Sequence, residues 1–125
     1  MLTIHSSQMD RLSRAALEEW LLAHVLRFFP RHCAALGREG VRGAVQRAVA
    51  LARKLGFTGD YEIVNYVDLT FMFGLEFHRR PGYEWAARIL NLGPTVDPRE
   101  RMERLYQEAL AYLKALSVAG NPGGR

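Results

Sequence analysis

Residues 61–77 read YEIVNYVDLTFMFGLEF, and whether this stretch is strand or helix decides the fold. It holds the densest run of aromatic and β-branched side chains in the chain, so strand is open on propensity alone. Spacing favours helix. Glu62, Asn65, Asp68 or Leu69, Met72 and Glu76 fall on one narrow face, leaving Ile63, Val64, Val67, Phe71 and Leu75 to fill the rest. A helix that is apolar over most of its circumference belongs at the centre of a bundle. Thr58-Gly59-Asp60 supplies a start signal, and Gly74, about 1 kcal/mol worse than Ala inside a helix, marks a kink or a close crossing. The central helix is expected near residues 60–78.

On its N-terminal side, a first helix is expected from Ser6 or Ser7, where Ser7 and Asp10 have capping-box spacing, to about Phe29, stopped by Pro30. Its second half, WLLAHVLRFF at 20–29, is apolar nearly all round apart from His24 and Arg27, so it should run through the core. Pro30 suits the first turn of a short helix, RHCAAL, closed by Gly37. Val41, Ala44, Val45, Ala48, Ala52 and Leu55 then recur at helical spacing up to Gly56. Their small side chains allow a close neighbour.

On the C-terminal side, HRRPG at 78–82 reads as a basic loop and YEWAARILNL as a short helix ended by Gly93-Pro94. The last helix has the clearest start: Asp97 caps, Pro98 takes the first position and Glu100 completes the box. Met102, Leu105, Tyr106, Ala109, Leu113 and Leu116 form its apolar stripe. The expected fold is therefore all-α, a single compact bundle of about five helices over residues 1–116, with a flexible tail at 117–125.

Composition agrees with one globular domain: 125 residues, 49% hydrophobic and 24% charged. The first residues lack the basic start and apolar run of a secretory signal, and no apolar stretch approaches the ~20 residues of a membrane span. Cys33 is the single cysteine, which excludes an internal disulfide and fits a reducing, cytoplasmic location. The net charge of +4 is uneven. Residues 27–54 carry seven Arg or Lys against Glu39, whereas residues 55–78 carry Asp60, Glu62, Asp68 and Glu76 and no Arg or Lys. Opposed fields of this kind satisfy each other or a partner.

No residue set points to chemistry. His5, His24, His32 and His78 include no pair at i, i+3 or i, i+4, so neither metal nor cofactor is expected. No serine lies in GxSxG, and Cys33 reads as a small buried apolar group; the chain is expected not to be an enzyme. His24 reads as a hydrogen-bonded core or rim histidine, and His32 with Cys33 as a loop pair near the surface. Asp68 is the most informative acid, because a buried carboxylate is costly unless paired. It is expected at a rim with Arg88, Arg79 or Arg80 as its partner, or in a partner-binding role. Arg38, Arg42, Arg47, Arg53 and Lys54 could face phosphates, yet they go round their helix and no helix-turn-helix pattern frames them.

The block from Val67 to Leu90 carries a resemblance. Its pattern is Asp-Leu-x-Phe from Asp68 to Phe71, Phe-Gly-x-x-Phe from Phe73 to Phe77, then Pro81 and Trp-Ala-x-x-Ile-Leu from Trp85 to Leu90. This resembles small helical proteins, mostly without assigned function, encoded beside bacterial type VI secretion components and effectors. The resemblance implies an effector-associated accessory role, as adaptor, chaperone or immunity protein. The expected function is thus a helical module that binds another protein, with Arg79, Arg80, His78 and Asp68 as its partner-binding candidates. The alternative is a small basic DNA-binding regulator using the 38–54 helix and the 78–82 loop.

Overall fold

The computed structural model describes residues 13–119. They form five α-helices, α1 (Arg14–Phe28), α2 (Pro30–Lys54), α3 (Asp60–Phe73), α4 (Glu84–Leu90) and α5 (Pro98–Ala119), with two 3₁₀ turns and no strand among the described residues. The all-α expectation holds, and residues 61–77, its hardest test, contain no strand. The chain divides into two compact units, one ending at Phe77 and the other beginning at His78.

In the first unit α1, α2 and α3 pack on one another. Helix α1 is capped by Ser13, whose hydroxyl accepts from the Ala16 backbone N–H at 3.1 Å. The expected start at Ser6 or Ser7 lies outside the described residues. Leu17, Leu21, Leu22 and Val25 give α1 a buried face. Pro30 opens α2, and Gly37, at φ 75° and ψ 162°, breaks it where the sequence separates a short helix from a long one. Beyond the break, Val41, Val45, Ala48, Val49 and Ala52 are buried at helical spacing.

Helix α3 is the core. Of its 14 residues 12 are buried, including every polar residue except Tyr61 and the whole expected polar face from Glu62 to Asp68. The narrow face is therefore an interior one. The helix is also shorter than expected, because Gly74, at φ 105°, is its C-cap and not an interior kink. The chain turns there and re-enters the core through Phe77, which stands at the start of a 3₁₀ turn (Phe77–Arg79). Phe57, Tyr66, Phe77 and Phe73 form an unbroken aromatic run with successive ring centroids 6.2, 6.1 and 5.4 Å apart.

In the second unit the short α4 packs on α5. Arg101 is buried at 3% exposure and donates from Nη1 to the Leu90 carbonyl at 3.1 Å, which satisfies an orphan carbonyl at the end of α4. Burial lowers its pKa, although a guanidinium keeps its charge. Tyr83 and Trp85 meet Tyr112 of α5, each at 5.3 Å between centroids. Asp97 accepts from the Glu100 N–H at 3.3 Å, as its position in the capping box predicts. Helix α5 continues through Ser117 to Ala119, where a tail was expected, and residues 120–125 lie outside the described residues.

Candidate functional site

The most unusual polar contact lies in the first unit. His24 Nε2 and Asp68 Oδ1 are 2.7 Å apart, and both side chains are 3% exposed. The contact joins α1 to α3 across a sequence separation of 44. Its length is that of a charge-assisted hydrogen bond. Trp20 stacks on the imidazole one turn before it, at 4.8 Å and 15°, and Phe28 leans on it one turn after, at 5.0 Å. The i, i+4 spacing of Trp20, His24 and Phe28 puts all three rings on one helix face. This corrects the expectation for Asp68: its partner is His24 and not Arg88, Arg79 or Arg80, because α3 runs through the interior and presents Asp68 to α1. His24 Nδ1 is buried without a hydrogen-bond partner. Enclosed between two rings, that nitrogen is closed to a reacting molecule in this conformation, so the pair acts as a clasp between helices.

Cys33 is buried as expected, in helix α2 rather than a loop, and donates from Sγ to the Val25 carbonyl at 3.3 Å. Burial pushes its thiol up. His32 beside it is exposed, with its ring edge-on to Phe29. Among the described residues no group of His, Cys, Asp and Glu could hold a metal ion.

The second unit is built differently. A groove of about 620 Å³ runs along α4 and α5, lined by Trp85 and Ile89 with Arg88, Glu100, Glu103, Arg104, Gln107 and Glu108. Arg104 and Glu100 pair at 2.6 Å one turn apart. Among the described residues Arg88, Glu103 and Glu108 have no ion-pair partner. Beside the groove the apolar stripe of α5 outruns its cover: Met102, Leu105 and Ala109 are buried, whereas Leu113 is 37% and Leu116 48% exposed, and Leu110, outside the stripe, is 48% exposed. Sequence periodicity found the stripe but could not show where its cover stops.

Of the residues singled out in the sequence, Asp68 is committed to the first unit's core, while Arg79 and Arg80 are exposed and His78 half-buried where the second unit begins. Arg80 lies over the Tyr83 ring, 5.8 Å from its centroid. Among the basic residues of α2, Arg38, Arg47 and Lys54 are exposed. Arg42 is tied to Glu19 of α1 at 2.7 Å, which raises its own pKa and lowers that of the Glu19 carboxyl. Among the described residues no helix is long and apolar enough to cross a membrane. Comparison with family models, with curated proteins and with solved structures finds no match.

Proposed function

We propose that the chain is a non-enzymatic helical module that binds another protein through the groove of its second unit. One observation carries this: an apolar floor of Trp85 and Ile89 is edged by unpaired charges of both signs, Arg88 against Glu103 and Glu108. A polyanion would meet three carboxylates in this groove, so nucleic acid is disfavoured there. A protein surface, with an apolar centre and a rim of mixed charge, is its natural complement. The Val67–Leu90 pattern supports a bacterial accessory role, in which the partner is a secreted effector and the chain its adaptor, chaperone or immunity protein in the cytoplasm.

The test is affinity capture of the tagged full chain from its source cells, with the bound protein identified by mass spectrometry. Wild type is compared with Arg88→Glu/Glu108→Arg and with Arg79→Ala/Arg80→Ala. One protein should co-purify with wild type, and the groove variant should weaken its capture about tenfold, equivalent to about 1.4 kcal/mol. Unchanged capture by the groove variant with loss from the loop variant would move the surface to the 78–82 loop. Nucleic acid in place of protein would overturn the proposal.

A further inference from the structure

The face of α5 beside the groove fits a second copy of itself. At 3.6 residues per turn, Glu103, Tyr106, Leu110, Leu113 and Lys114 fall within an arc of about 100°. Leu110 and Leu113 are exposed on it, as are Glu103 and Lys114. Glu103 and Lys114 are eleven residues apart, three turns or about 16 Å along the axis, so they flank the apolar positions on the same side. Between Ala109 and Ala119 Lys114 is the only charged residue.

We propose that α5 pairs antiparallel with α5 of a second copy, about a two-fold axis near residues 108 and 109. In that register Glu103 of each copy meets Lys114 of the other, so the two opposite charges are satisfied twice by symmetry. Leu110 of each copy interdigitates with Tyr106 of the other, and Leu113 covers the aliphatic stem of the opposing Glu103. A parallel pair would instead set Glu103 against Glu103 and Lys114 against Lys114, so the charges select the antiparallel arrangement. An interface made by one helix falls at the small end of specific contacts, below about 1,200 Å², and the pair should dissociate on dilution. The inference goes beyond the proposed function and does not rest on it: the two share Glu103, whereas the groove residues Arg88 and Glu108 take no part in the pairing.

Sedimentation equilibrium of the full chain over a concentration series tests it. The weight-average mass of wild type should climb from 14.2 kDa towards twice that value. Glu103→Lys or Lys114→Glu alone should hold it at the monomer mass, as should Leu110→Asp. The charge-swapped double variant Glu103→Lys/Lys114→Glu should restore association. All these side chains are exposed, so circular dichroism should show unchanged helix content. A wild type that stays monomeric at its solubility limit would overturn the pairing, as would association that survives both single charge reversals or fails to return in the double variant. Arg88→Glu/Glu108→Arg should still self-associate, so this inference and the proposed function fail separately.

Discussion

Replacing His24 by Leu should be the most damaging single change that leaves core volume nearly constant. The substitution removes the one hydrogen-bond partner that the Asp68 carboxylate, 2% exposed in the most buried helix, has among the described residues. Loss of a hydrogen bond to a charged group costs about 1.5–3 kcal/mol. Abandoning a buried charge raises the total to about 3–5 kcal/mol. Leucine fills most of the space between Trp20 and Phe28, so packing itself should contribute less than about 1.5 kcal/mol. Against a total stability of about 5–15 kcal/mol this is a large share. Asp68→Leu alone should cost about 1–3 kcal/mol by leaving the imidazole unpaired. The double variant His24→Leu/Asp68→Leu should recover to near wild type, because a buried ion pair replaced by apolar groups is often neutral. Urea unfolding with linear extrapolation measures all four corners of this cycle, provided the m-values agree. A cost below about 1 kcal/mol for His24→Leu, or simple additivity in the double variant, would show that the clasp contributes nothing beyond its packing.

Two further outcomes follow from the core. Phe71 is 6% exposed and packs on Phe29 at 5.7 Å, so Phe71→Ala should cost about 3–5 kcal/mol in the same unfolding assay, and under about 1 kcal/mol would place the ring at the surface. Burial pushes the Tyr66 hydroxyl up to about 12 from 10.0, an effect that the Thr70 hydroxyl beside it only partly offsets. The folded state then keeps a proton that the unfolded state gives up, so stability is full below pH 10 and falls as pH rises towards 12, by about 3 kcal/mol from this group. Tyr66→Phe should lack that alkaline loss in pH-jump unfolding, and an identical pH profile in both proteins would refute it.

Features set by neighbours in sequence were legible in advance. The break at Gly37, the Asp97 cap and the Pro98 start each need only a few adjacent residues, and the structure has all three. Helical spacing likewise outweighed strand propensity in α3, because burial on every side tolerates β-branched residues in a helix. Gly74 was placed in the right segment with the wrong role. Whether a glycine kinks or ends a helix depends on whether φ turns positive, and that is decided by Phe77 folding back into the core. The partner of Asp68 was out of reach for a similar reason. It lies 44 residues away, and nothing near either residue selects histidine over the nearby arginines. The α5 stripe was visible as periodicity, yet the end of its cover depends on α4 being only 7 residues long.

The hydrogen bond from Cys33 to Val25 has a use that neither residue suggests alone. Because the chain has one sulfhydryl, and burial both shields it and keeps it protonated, a reagent in solution can react only during excursions that part the start of α2 from α1. The native molecule thus carries its own clock. Labelling rates measured without any denaturant would count how often that corner of the first unit opens, and comparing them with the global unfolding equilibrium would tell a local breath from the loss of the whole fold.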